Sequence, residues 1–513
     1  EGGARAKFAQ RLAAEIDQRG PLDVLRHGLK DHGVKIDLAY FAPATTLAAD
    51  LVDLHAANRL SVTRQLRYSA TTGGELDLAL FVNGIPTATA ELKNPLTGQG
   101  VEHAKRQYRE DRSPKELLFA RRALVHFAVD PDLVFLTTRL AGKSTRFLPF
   151  NQGSGGAGNE GGAGNPPSDA GYRTAYLWEE VWAPATWLDL LRRFLHVEDP
   201  PTPGRGKPAR KKPWHERTLI FPRLHQWHAV RSLTAHAAQH GAGQNYLIQH
   251  SAGSGKSNTI AWLAHRLSSL HDAHNTKVFH KVIVITDRVV LDRQLQDTIF
   301  QFDHTVGVVQ KIDKTSAQLA EALQGETAQV IITTLQKFPY VLESAKKLAG
   351  SRFAVVVDEA HSSQTGETAK ALKQVLREGT DAHVSADGDA VLLAAEVADA
   401  VAEAADDEAD PLVSSAVARG RHANLSFFAF TATPKAKTLE LFGELGPDQK
   451  YRAFHIYSMR QAIDEGFILD VLRNYVTYAT YYKLANATPS GDREVDKRKA
   501  AAELARFASL HPS

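Results

Sequence analysis

Between residues 61 and 92 the polar and apolar positions fall into short runs with a two-residue rhythm. Residues 61–68 and 75–82 read as strands separated by the turn Thr71-Thr72-Gly73-Gly74, and Asn83-Gly84 is a hairpin signal that returns the chain along 85–92. Before them, residues 1–60 carry helical periodicity broken by turns, clearest at 11–16 and 47–59. After them come a polar helix over 101–112 and two further strands at 124–129 and 132–138. In the second half the rhythm changes. Residues 246–250, 281–286, 329–334, 353–357 and 425–430 are continuous apolar runs, the pattern of strands buried on both faces of a parallel sheet. Helical periods follow at 258–267 and 291–300. The pattern predicts an α/β protein, a mixed-sheet domain followed by a parallel-sheet domain.

Residues 151–168 are dominated by Gly, Asn and Pro and cannot bury enough apolar surface to fold alone. They are expected to form a flexible surface loop, in preference to a glycine-rich loop lying against nucleic acid. Residues 200–213 combine prolines with Arg205, Lys207, Arg210, Lys211 and Lys212, a stiff and solvated spacer. The expected domains are 1–199, a linker at 200–216, a second domain at 217–450 and the start of a third at 451–513. An acidic, Ala-rich stretch at 381–410 reads as an exposed, partly helical insertion.

Composition changes this picture little. A length of 513 residues suits about three domains, and a net charge of +3 neither demands nor excludes nucleic acid, since basic groups confined to one groove suffice. Cysteine is absent, which rules out disulfides and thiolate metal sites. No apolar run approaches the ~18 residues needed to span a bilayer, and no apolar signal core follows Glu1. A cytoplasmic protein without a membrane partner is the default expectation. The first residue is not Met, which reads as a trimmed chain.

The strand 246–250 runs into Ser251-Ala252-Gly253-Ser254-Gly255-Lys256-Ser257, and a helical period opens at once. Strand, small-residue loop and helix in that order are what a phosphate-binding loop requires. Backbone amides freed by Gly253, Ser254 and Gly255 turn toward phosphate, and the helix N-terminus adds partial positive charge. Lys256 is expected to reach the β- and γ-phosphates of a nucleotide and the Ser257 hydroxyl to hold Mg²⁺. His250 stands where the strict pattern has its first glycine.

A second constellation lies on the N-terminal hairpin. Glu91 and Lys93 project from one face of a strand, and Asp77 sits on the arm that pairs with it. Two carboxylates and a lysine converging there suit Mg²⁺ and the stabilisation of charge on a phosphate. The arrangement resembles the D…(D/E)-x-K core of the restriction-endonuclease-like nucleases. By that resemblance Asp77 and Glu91 are metal ligands and Lys93 is the catalytic lysine. Such nucleases, when joined to motors, often carry a Gln-x-x-x-Tyr element on the following helix. Gln107 and Tyr108 are the candidates here for DNA positioning, although Asp111 occupies the place that the strict spacing reserves for tyrosine.

The second half is similar to superfamily 2 helicases. Phe221-Pro222-Arg223-Leu224-His225-Gln226 resembles the motif whose glutamine reads adenine, here Gln226. Arg288, Thr334 and Gln336 stand at strand ends that resemble the motifs contacting the nucleic-acid backbone. Asp358-Glu359-Ala360-His361 follows an apolar strand. The resemblance gives Asp358 the Mg²⁺, Glu359 the attacking water and His361 the link to the next motif. Thr431-Ala432-Thr433-Pro434 resembles the motif coupling hydrolysis to movement through Thr431 and Thr433.

With both halves read, the chain resembles the restriction (motor) subunit of type I restriction-modification enzymes. That family keeps a non-glycine residue at the position of His250, and the resemblance extends over Tyr457-Ser458-Met459-Arg460-Gln461-Ala462-Ile463 and Glu465-Gly466-Phe467-Ile468-Leu469-Asp470. It implies a restriction-endonuclease-like domain followed by a RecA-like lobe. It also implies ATP and Mg²⁺ as cofactors, translocation on double-stranded DNA with cleavage when movement stalls, and methyltransferase and specificity subunits as partners. The alternative is a stand-alone superfamily 2 remodeller whose N-terminal sheet only binds DNA. After Tyr475 there is room for only part of a second RecA-like domain, and no arginine-finger motif is found. The expectation is nucleotide binding with poor turnover by this chain alone.

Overall fold

The computed structural model describes residues 2–69, 71–169, 171–198, 212–286, 289–301, 308–312, 316–325, 327–334, 350–358 and 424–470. The described residues up to Phe467 form one compact unit holding two large sheets. The N-terminal sheet has six strands in chain order: β1 (Leu60–Arg67), β2 (Glu75–Val82), β3 (Ile85–Leu92), β4 (Val125–Val129), β5 (Val134–Thr137) and β6 (Leu148–Pro149). Only β3 and β4 pair in parallel, joined by helix α1 (Val101–Glu110); every other neighbouring pair is antiparallel. The β2–β3 hairpin turns at Asn83-Gly84, both with positive φ (50° and 85°), the backbone of a tight two-residue hairpin turn. Pro86 sits at the start of β3, where a missing amide is tolerated.

The second sheet has seven parallel strands: β7 (Asn245–His250), β8 (Lys281–Thr286), β9 (Val309–Lys311), β10 (Val330–Thr334), β11 (Phe353–Val357), β12 (Leu425–Thr431) and β13 (His455–Tyr457). Their order is β9-β10-β8-β11-β12-β7-β13. Burial accounts for the continuous apolar runs: every residue of β8, β11 and β12 is buried. Helices α2 (Leu224–His240) and α3 (Lys256–Ser268) pack together beside this sheet.

One hydrophobic cluster runs through both sheets, from Val125 and Phe127 of β4 to Val282 of β8 and Phe428 of β12. At the junction the Phe127 ring meets Trp182 and Phe221, at centroid distances of 5.4 and 6.0 Å. Trp187 donates from Nε1 to Thr87 Oγ1 (3.0 Å) and Trp262 of α3 donates to the Phe194 carbonyl (3.0 Å). Two domains distinguished by sequence pattern therefore share a core, which fixes their mutual placement. Residues 200–211 of the basic linker and 381–410 of the acidic segment lie outside the described residues.

Candidate functional site

On the N-terminal sheet, the hairpin places Asp77 on β2 opposite the end of β3. Its Oδ2 accepts the Leu92 amide at 2.7 Å and lies 3.9 Å from Lys93 Nζ. Glu91 is fully buried. Its Oε1 accepts from Arg112 Nε at 2.7 Å, with Arg112 Nη2 equally close at 2.7 Å. Its Oε2 is buried with no partner. Burial pushes the Glu91 carboxyl up to about 7; Arg112 opposes this and the nearby Asp77 adds to it. Asp77, Glu91 and Lys93 thus meet at one end of the paired strands β2 and β3, with one buried carboxylate oxygen left unpaired where oxygen ligands suit a hard cation. Among the described residues no set of three or more His, Cys, Asp or Glu side chains is arranged to hold a metal. Two carboxylates leave the other positions of an octahedral ion to water and phosphate.

Helix α1 covers this face of the sheet with Val101, Ala104, Lys105 and Tyr108. Tyr108 corrects an expectation. It is fully buried, bonded through its hydroxyl to Thr89 Oγ1 at 2.8 Å and packed against Phe119 and Phe147, so it supports the sheet and presents nothing to DNA. Thr89 also meets His126 Nδ1 at 2.8 Å, and burial pushes that imidazole down to about 3, keeping it neutral. Gln107 is half-buried on the same helix.

The phosphate-loop sequence takes the shape its spacing predicts. β7 ends at His250, and Gly255, with φ of 77°, caps α3, which begins at Lys256 and Ser257. The φ of 77° at Gly255 favours glycine, and a Cβ there would also press on the tip of the Gln226 side chain, 2.6 Å from Nε2. Gln226, expected to read adenine, spends its amide locally: Nε2 donates to the Ser254 and Gly255 carbonyls (3.2 and 3.0 Å) and Oε1 accepts the Arg223 amide (2.9 Å). Arg223, which sequence reasoning passed over, donates to the Gly253 carbonyl at 2.7 Å and lays its guanidinium on the Phe467 ring at 4.0 Å, while Nη1 stays buried and unpartnered. Its position one helical turn before Gln226 was the available signal.

His250 needs no positive φ, because it is the last residue of a strand. Its imidazole is buried, and Nε2 meets His455 Nδ1 at 3.0 Å; His455 Nε2 meets His228 Nδ1 at 3.1 Å. Burial drives all three below the usual histidine range, so the row is neutral. His225 donates from Nε2 to the Ser254 carbonyl (3.0 Å) and stacks on Tyr457 at 3.7 Å.

The glycine-rich stretch expected as a flexible surface loop is instead pinned against β13 and the helix after it. The Ile456 amide donates to the Gly158 carbonyl (2.7 Å), Ser458 Oγ to Gly161 (2.6 Å), and the Ala163 amide to Asp464 Oδ2 (3.3 Å). Small residues permit the approach: a Cβ on Gly158 would stand 2.9 Å from His455 Cδ2. On its far side β13 receives the Ser251 amide at the Tyr457 carbonyl (3.0 Å). One strand therefore touches both the N-terminal domain's loop and the phosphate loop.

Asp358 follows β11, with its amide bonded to the Ile285 carbonyl. The register sets Val357, Ala429 and Leu247 in one row, so Asp358 is level with Ile248 near the end of the sheet that leads into the phosphate loop, two strands or about 10 Å across from β7. Thr431 is buried at the end of β12 between those strands, Thr433 is exposed beyond it, and Thr334 closes β10. Arg288, Gln336, Glu359 and His361 lie outside the described residues.

Comparison with known proteins bears on both halves. Residues 28–148 match the type I restriction enzyme R protein N-terminus family, and residues 225–382 match the SWI2/SNF2 ATPase family. The chain is 24% identical over 440 residues to the type I restriction enzyme HindI endonuclease subunit of Haemophilus influenzae (strain ATCC 51907 / DSM 11121 / KW20 / Rd). The chain is a relative of type I restriction endonuclease subunits. The match covers 81% of this chain, which spans about a third of that relative (34%). The two matches follow one another along the chain, first the R-protein N-terminus model and then the SWI2/SNF2 ATPase model. Among solved structures, an HsdR-type fragment of a type I restriction enzyme from Vibrio vulnificus YJ016 covers 79% of the chain and 56% of its own, at 15% identity and a TM-score of 0.29. A nuclease-deletion mutant of the Type ISP restriction-modification enzyme LlaGI, in complex with a DNA substrate mimic, covers 55% and 24%, at 15% identity and a TM-score of 0.27. Among the described residues no helix is long and apolar enough to cross a membrane.

Proposed function

We propose that the chain works as the cutting and ATP-driven part of a type I restriction enzyme, translocating double-stranded DNA and cleaving it with Mg²⁺. The observation that carries the reading is the meeting of Asp77, Glu91 and Lys93 at one end of the paired strands β2 and β3, with Glu91 Oε2 buried and unpaired. Asp77 and Glu91 would hold Mg²⁺, which supplies Lewis acidity at a phosphodiester when bound. Lys93, its ammonium facing Asp77, would bind the scissile phosphate and stabilise the charge that develops on it. In the ATPase domain, the amides of Gly253, Ser254 and Gly255 with Lys256 would hold the nucleotide phosphates, and Ser257 and Asp358 its Mg²⁺. Arg223, with an unpaired donor beside this loop, would turn that donor to the nucleotide, and Gln226 would exchange its carbonyl partners for the base. Glu359 would orient the attacking water and His361 couple the site to Thr431 and Thr433. Arg288, Thr334, Gln336 and Gln107 would line the DNA path. Methyltransferase and specificity subunits would supply target choice.

The test is plasmid cleavage by the complex reconstituted with those subunits, with and without ATP. Wild-type complex is expected to cut only with ATP and Mg²⁺. Glu91→Ala should abolish cutting while sparing ATP hydrolysis, and Lys256→Ala should abolish both. Cleavage that survives Glu91→Ala sinks the nuclease assignment.

A further inference from the structure

The Glu91 carboxylate is not held by its own strand. Arg112, just beyond the end of α1, reaches across and grips Oε1 through Nε and Nη2, both at 2.7 Å. The same Nη2 donates to the Glu75 carbonyl at the start of β2 (2.6 Å), and the guanidinium carbon lies 5.6 Å from the Tyr68 ring centroid. The guanidinium is itself buried. The Glu75 carbonyl and the Tyr68 ring therefore hold the guanidinium, and it in turn holds one carboxylate oxygen. The other oxygen, Oε2, is left buried without a partner beside Asp77, a costly arrangement unless something fills it.

We propose that Arg112 is a positioning residue. By holding Oε1 in a rigid two-pronged grip, it presents Oε2 to a divalent cation shared with Asp77. This rests on the nuclease reading given above. Geometry does the work more than charge does. A lysine in the same place keeps the positive charge but is a single point donor, unable to hold Glu91 and the Glu75 carbonyl in one plane. Residues that orient a metal ligand characteristically change metal affinity when replaced, without being ligands themselves.

The experiment is calorimetric titration of the full chain with Mn²⁺, without nucleotide, for wild type, Arg112→Lys and Glu91→Ala, alongside their melting temperatures. Arg112→Lys is expected to melt close to wild type and to bind Mn²⁺ about 10-fold or more weakly, and Glu91→Ala to lose that binding. Arg112→Lys that folds and binds as wild type does would overturn the positioning role and leave the nuclease reading standing. If Glu91→Ala binds as tightly as wild type, the cation site itself is refuted and Arg112 loses its role with it. Should Arg112→Lys not fold, Arg112→Gln takes its place, and binding at or above the wild-type affinity overturns the proposal.

Discussion

Replacing Glu91 with Gln should change how the stability of this protein depends on pH. Burial lifts the Glu91 carboxyl from 4.5 in the unfolded chain to about 7 in the fold. Below pH 4.5 the group is protonated in both states and costs nothing. As pH rises, the unfolded chain releases its proton first, so stability falls until the folded group ionises near 7, and the penalty is constant above that. At about 1.4 kcal/mol per pKa unit the full loss is about 3 kcal/mol. Glu91→Gln has no such group and no such slope. Arg112 stays charged throughout this range, so losing its anionic partner shifts the variant's curve without adding a slope. The assay is urea unfolding without Mg²⁺, followed by fluorescence, from pH 5 to 8.5. The stability of the variant relative to wild type should rise by roughly 2–3 kcal/mol across that range. Mg²⁺ at pH 8 should then stabilise wild type and leave the variant unmoved. Two curves running parallel across the range would refute the argument that the Glu91 carboxylate is buried and under-compensated.

Three further outcomes follow from the phosphate loop and its neighbours. His250→Gly, which restores the strict loop pattern, should destabilise the protein by about 2–4 kcal/mol in thermal or urea unfolding, because it empties a buried site and strands His455 Nδ1; unchanged stability would show that glycine is equally acceptable there. Gly255→Ala should lose about 1–2 kcal/mol to its positive φ alone, and the methyl group would press on Gln226, so nucleotide affinity should fall in a fluorescent-ATP titration. Gly158→Val meets His455 at a residue with φ of 80° and should lift the glycine-rich loop, seen as faster protease cleavage within residues 151–168; wild-type resistance in the variant would mean that the loop is held elsewhere.

Sequence pattern alone settled the local elements. The Asn83-Gly84 turn, the continuous apolar strands and the loop before Lys256 each depend on neighbours a few residues apart, and all appear where periodicity and turn chemistry put them. It also put Asp77 on the arm that pairs with Glu91 and Lys93, but the turn alone does not set them level: the register shifts by one residue between Leu80 and Phe81, and that irregularity brings Asp77 opposite Glu91. What the pattern left open was every contact between distant segments. Arg112 reaches Glu91 across a helix and a turn, and no spacing rule connects them. Tyr108 lies on the polar-looking helix α1 but faces inward, because the sheet beneath supplies Thr89 as a partner for its hydroxyl. The Gly-rich stretch has no apolar side chain larger than Ala157, Ala163 and its two prolines to reveal that it packs; it is held by the Ile456 amide of β13 and by the Ser458 and Asp464 side chains, and Gly158 leaves room for the His455 ring. Composition reports which groups can bury themselves, whereas only the fold decides which polar groups meet. In this protein those meetings hold Glu91 in its site and His250 beneath the phosphate loop.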